Sequence, residues 1–134
     1  MDIKKEKVLC QKQWAKNKYL VLSHSSKIYL EIRTYLKQEE VSLEKVNKLV
    51  KQAINLPEDK GQVTNALHHV WGYFKKFATK EEKDNFFEMI EDYHINKTTK
   101  EDLIEEVKKL LEKYPNTYLE QSTFINGGKD ETLA

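Results

Sequence analysis

The chain has 134 residues, with 23 basic and 22 acidic side chains, four glycines, two prolines and one cysteine. That length suits one domain, and so little Gly and Pro excludes a turn-dense sandwich or barrel in favour of long helices. Two Trp, seven Tyr and five Phe supply a core that a disordered chain lacks, and Cys10 alone excludes a disulfide framework or a four-Cys zinc site.

In chain order, the stretch from Lys4 to Gln38 holds no Gly or Pro. Val8, Trp14, Val21, Leu22, Ile28, Tyr29, Ile32 and Leu36 recur at helical spacing, as one long helix or two joined near Ser23–Ser26. Ser42 is a good N-cap, with Glu44 in the first turn facing the positive helix end. Leu43, Val46, Leu49, Val50, Ala53 and Ile54 make the buried stripe of that helix, and Pro57 stops it. Residues 57–61 read as an exposed loop, and a helix is expected over 62–77 with Leu67, Val70, Phe74 and Phe77 on its buried side. Thr79 with Glu82 forms a capping box, and Thr98 with Glu101 a second one for a helix ending before Pro115. Thr117 caps a last helix from Tyr118 to about Ile125. The expectation is an all-α, single-domain bundle of five or six helices over 1–126, with 127–134 a flexible tail.

The charge is unevenly spread. Residues 1–38 carry nine basic and three acidic groups, a balance of +6, whereas residues 79–113 carry seven and eleven, a balance of −4. Such opposed fields either attract each other or offer the basic end to an anionic partner, nucleic acid first among them. Only Arg33 is arginine, which argues against bidentate reading of bases.

Two constellations carry candidate chemistry. On the first helix, Trp14, Lys18, Ser25 and Tyr29 fall within about 60° of one another, with His24 near the edge of the same patch. They are either core anchors with a snorkelling lysine or a face combining an indole, an ammonium, a hydroxyl and a phenol. On the later helix, Asn65, His69, Gly72 and Lys76 align opposite Leu67, Val70 and Phe74, with Tyr73 at their flank. A glycine inside a helix costs about 1 kcal/mol against alanine, so Gly72 predicts a close approach by a crossing helix or a ligand.

Other motifs fall away. Adjacent His68 and His69 diverge around a helix, and His24, His69 and His94 converge only if the fold brings them together, so no metal is expected. Cys10 has no adjacent His, and no glycine-rich phosphate loop or dinucleotide fingerprint occurs, so no cofactor is expected. No apolar run approaches the roughly 18 residues of a membrane span, and no signal-type segment follows Met1. A cytoplasmic protein without membrane contact is expected.

The runs Gln13-Trp14-Ala15-x-x-Lys18-Tyr19, Ser23-His24-Ser25-x-x-x-Tyr29 and Asn65-x-x-x-His69-Val70-x-Gly72-Tyr73-Phe74-Lys75 resemble the YbgA-like domain family of bacteria. Glu82-Lys83, Tyr93 and Tyr114-Pro115-x-x-Tyr118-Leu119-x-Gln121 are weaker matches, and residues 95–97 depart from the family, which commonly has a glycine there. The family occurs alone or fused behind a cysteine-rich iron–sulfur desulfidase domain that removes sulfur from thiolated uracil, including the 4-thiouridine of tRNA. The resemblance implies an RNA-recognition role, with a separate desulfidase as a possible partner, because one cysteine cannot hold such a cluster.

The leading expectation is a module recognising tRNA or a modified, thiolated nucleotide. Lys18, Lys75 and Lys76 would meet phosphate, Trp14, Tyr29 or Tyr73 would stack on a base, and Ser25 and Asn65 would line the site. A second reading is a small hydrolase of a modified base or nucleoside, with His24 or His69 as general base and Lys18 or Tyr29 stabilising charge. A protein-interaction module is the third.

Overall fold

The computed structural model describes residues 2–127; the expected tail from Gly128 onward lies outside them. Among the described residues the chain is helical throughout, as α1 (Ile3–His24), α2 (Ser26–Tyr35), α3 (Leu43–Ile54), α4 (Lys60–Trp71), α5 (Lys80–His94), α6 (Lys100–Lys113), α7 (Thr117–Glu120) and α8 (Thr123–Asn126). Six are longer than one turn. Among the described residues, no helix is long and apolar enough to cross a membrane.

The break between α1 and α2 falls inside the expected window, at Ser25. Its extended backbone ends α1, and its hydroxyl accepts from the Ile28 N–H (3.0 Å) to start α2. At the other end of α1, the Asp2 carboxylate caps the first turn by accepting from the Lys4 and Lys5 amides. Hydrogen bonds fix the topology. Glu6 accepts from the Leu43 N–H (2.9 Å) and Lys7 donates to the Gln38 carbonyl (2.7 Å), so the start of α1 lies at the α2–α3 loop. His24 meets the Leu56 carbonyl and Gln62 holds the Ser26 N–H, so the end of α1 lies at the α3–α4 loop. Thus α2 and α4 run antiparallel to α1, α3 runs parallel to it, and α1 packs against α2, α3, α4 and α8.

Burial on α1 departs from the apolar stripe. Its first half buries Cys10, Gln13 and Asn17, while Val8 is about half exposed (47%). Asn17 Nδ2 donates to the Gln13 carbonyl (2.9 Å), and the Thr123 hydroxyl lies 2.8 Å from Asn17 Oδ1 and 3.1 Å from the Lys16 carbonyl. This bonded polar set carries α8 onto α1, as buried polar groups require. Cys10 is fully buried, and burial pushes its thiol pKa up, with Glu6 adding to the effect. Its lysine neighbours in sequence do not lower it.

The expected helix over 62–77 is shorter. It ends at Trp71, with Gly72 as C-cap, and the chain tightens into turns in which Tyr73, Phe74 and Phe77 donate to carbonyls three residues back. Gly72 is solvent-exposed, and an added Cβ would meet only the His69 carbonyl of its own turn, at 3.1 Å. Among the described residues, no helix crosses there. Phe77, expected in the core, is 65% exposed and lies over Tyr114. The inward stripe is Val63, Ala66, Leu67, Val70, Trp71 and Phe74, and Trp71 stacks on Phe86 of α5 at 5.3 Å.

Two boundaries shift by one residue: Thr99 with Asp102 forms the second capping box, and Asn116 caps α7. The last expected helix is two short ones, broken at residues 121–122. Asn96 adopts φ 62°, the left-handed conformation that glycine takes most easily.

The first capping box gives an acid-sensitive contact. Glu82 accepts from the Thr79 N–H (2.8 Å), the Tyr114 hydroxyl (2.7 Å) and Lys113 Nζ (3.0 Å), and these bonds, the Thr79 amide foremost, lower its pKa to about 2. A carboxylate with a depressed folded-state pKa stabilises fully above its ordinary pKa of 4.5, and that contribution fades as pH falls toward 2. Glu82→Gln should therefore lower the melting temperature at pH 7, and the gap to wild type should shrink near pH 2. A gap that stays constant would contradict the assignment.

Candidate functional site

Four phenols meet where α1, α2, α4 and α7 come together. Tyr19 is 4% exposed, and its hydroxyl shares a hydrogen bond (2.9 Å) with that of Tyr73, just past the end of α4. Tyr73 in turn stacks on Tyr118 of α7, with ring centroids 5.6 Å apart and planes 14° from parallel. Tyr29 of α2 packs against the half-buried Trp14 at 5.3 Å. The exposed His69 ring lies 6.2 Å from that of Tyr19, and Lys18 Nζ stands 5.9 Å from the same ring. Tyr19 and Tyr29 are buried within the cluster, so the rings it offers are those of the half-buried Trp14, Tyr73 and Tyr118, beside an imidazole and an ammonium, an arrangement suited to a flat ligand with an anionic group.

The local sequence explains the placement. The turns after Gly72 carry Tyr73 out of the α4 stripe, and Asn116 caps α7 (3.0 Å to the Leu119 N–H) so that Tyr118 rests on it. Burial is the main cause of a raised pKa at Tyr19, Tyr29 and Tyr118. The Tyr73 hydroxyl and neighbouring phenols add to it at Tyr19, and Tyr73 and Tyr29 add to it at Tyr118. At Tyr29, Arg33 four residues on opposes the rise. These phenols therefore stay protonated at neutral pH and both donate and accept.

Of the residues singled out in the sequence, Trp14, Lys18, Tyr29, His69 and Tyr73 gather at this cluster. Ser25 does not; it is buried as the α2 cap. His24 is fastened elsewhere: its Nδ1–H donates to the Leu56 carbonyl (2.7 Å), beside Gln62. His69 lies seven residues beyond Gln62, about 10 Å further along α4, so the two imidazoles stand at different levels. Asn65, Lys75 and Lys76 are exposed, and their side chains make no hydrogen bond or ion pair among the described residues. Tyr19 and Tyr118 were absent from the expected site, although both lie in the family-like runs. What joins them to it is Tyr73, from a third segment.

Among the described residues, no three His, Cys, Asp or Glu side chains are placed to hold a metal ion. The model of the DUF1722 family, described as a protein of unknown function, matches residues 18–127, and the chain belongs to that family. No curated protein and no solved structure matches it.

Proposed function

For this DUF1722 chain we propose membership of the YbgA-like group and a role in recognising tRNA or a modified, thiolated nucleotide. The observation that supports it is the half-buried rings of Trp14, Tyr73 and Tyr118, backed by the buried Tyr19 and Tyr29, with Lys18 and His69 at their side. Single-stranded nucleotides are held by rings that stack on bases and cations that meet phosphate, and stacking tolerates a sulfur-bearing base. Lysine supplies the point charge for phosphate, and the neutral phenols offer hydroxyls to the edge of a base. A desulfidase acting on the same nucleotide is the natural partner of such a module.

A hydrolase needs a base and a charge-stabilising group at one substrate atom. His69, Lys18 and Tyr29 are the residues for that reading; His24, tied to Leu56, is not near them. The two readings separate in one experiment on tRNA and a panel of thiolated nucleosides. For recognition, Lys18→Ala should weaken tRNA binding and flatten its salt dependence by about one phosphate contact, and His69→Ala should have a smaller effect that salt does not change. Turnover lost about 10²–10⁴-fold in His69→Ala with binding kept would favour the hydrolase. Wild-type behaviour of both variants would overturn both.

A further inference from the structure

One face of α1 carries the exposed Lys5, Leu9 and Lys12, continues through the half-buried Lys16, and ends at the buried Tyr19 of the aromatic cluster. Lys5, Leu9, Lys12, Lys16 and Tyr19 follow one another at spacings of four, three, four and three, which places them on one helix face. Lys5 and Lys12 are exposed and form no ion pair among the described residues. Val8 (47%) and Leu9 (48%) lie open between them. Asp2 caps the α1 amides and Glu6 accepts from the Leu43 N–H, and neither forms an ion pair with Lys5 or Lys12 among the described residues. The stripe ends at Tyr19, beneath Tyr73 and beside His69. Lys5 and Lys12 also precede residue 18, where the family match begins.

We infer that this face of α1 is a track for the phosphate backbone of a single RNA strand whose end nucleotide enters the tyrosine cluster. The inference rests on the recognition role proposed above. Charge selects the occupant: the segment 1–38 is +6, Lys5 and Lys12 stand exposed in one row, and the row runs toward the half-buried Tyr73 ring bonded to Tyr19, which is how single-strand sites are built. From Lys5 to Tyr19 the helix rises about 21 Å, room for about four nucleotides of an extended strand. Val8 and Leu9 lie where riboses and base faces would rest between phosphate contacts.

The test uses the full chain, uridine monophosphate and labelled oligouridylates of two to eight nucleotides. Wild-type affinity should rise to about four nucleotides and then level off. In Lys5→Gln/Lys12→Gln, with the melting temperature kept, that rise should be lost and the slope of log affinity against log salt should fall by about 1.4. An unchanged length dependence in the double variant overturns the track, as does displacement of the oligonucleotide by polyglutamate at equal charge. If the mononucleotide binds and length adds nothing, the track fails and the recognition role stands. If length and lysines matter but the mononucleotide does not bind, the stacking role fails and the track stands.

Discussion

Ala66→Leu should destabilise the protein by about 1–3 kcal/mol, whereas Gly72→Ala should change stability by less than about 1 kcal/mol. Ala66 is fully buried on the inward stripe of α4, between Val63 and Val70, where α4 packs on α1. Three extra heavy atoms at a fully buried position must displace their neighbours, so side chains leave their rotamers or the helices part. Gly72 is exposed in a right-handed helical conformation (φ −53°) that any residue adopts. Alanine restricts the unfolded chain, which favours folding by about 0.4–1 kcal/mol, and its Cβ at 3.1 Å from the His69 carbonyl offsets that gain. Thermal melts should place Ala66→Leu roughly 3–12 °C below wild type and Gly72→Ala within a few degrees of it. Equal melting temperatures would mean that α4 does not pack as described.

That contrast marks where the sequence was legible. Signals closed within one turn were readable from residues alone: Ser42 opens α3, Thr79 and Glu82 open α5, and the polar run at Ser23–Ser26 holds the α1–α2 break. Gly72 is ambiguous in the sequence because a mid-helix glycine and a C-cap glycine look alike until the helix end is known, and the apolar pattern runs on through Phe74 and Phe77. Phe77 has an apolar side chain but finds its partner, Tyr114, on the surface. Asn17 was invisible to an apolar stripe because its side chain is buried through hydrogen bonds to the Gln13 carbonyl and the Thr123 hydroxyl rather than through hydrophobicity. The candidate site was half legible. Trp14 and Tyr29 come from neighbouring helices that the kink at Ser25 folds together, so one periodic pattern found both. Tyr19, Tyr73 and Tyr118 lie 54 and 45 residues apart in sequence, and only tertiary folding pairs them.

Tyr73→Ala should cost about 1–3 kcal/mol of affinity for a single-stranded oligonucleotide, or roughly 5–150-fold in Kd. Tyr73 bonds to Tyr19, stacks on Tyr118, and is the ring shared between the α1 side and the α7 side of the cluster. Its removal takes away one stacking surface and leaves Tyr118 without its neighbour. It also leaves the Tyr19 hydroxyl, on a side chain only 4% exposed, without its bonded partner, so a stability loss of about 1–3 kcal/mol should accompany the binding loss. Tyr73→Phe separates the two effects. It keeps the ring on Tyr118 and should bind within a few-fold of wild type, yet it still strands the Tyr19 hydroxyl and should melt lower. Adding Tyr19→Phe removes the stranded group and should recover part of that stability, which makes the pair non-additive in a double-mutant cycle. If Tyr73→Ala binds oligonucleotide as wild type does while its circular dichroism stays helical, the tyrosine cluster is a packing feature and the ligand site lies elsewhere.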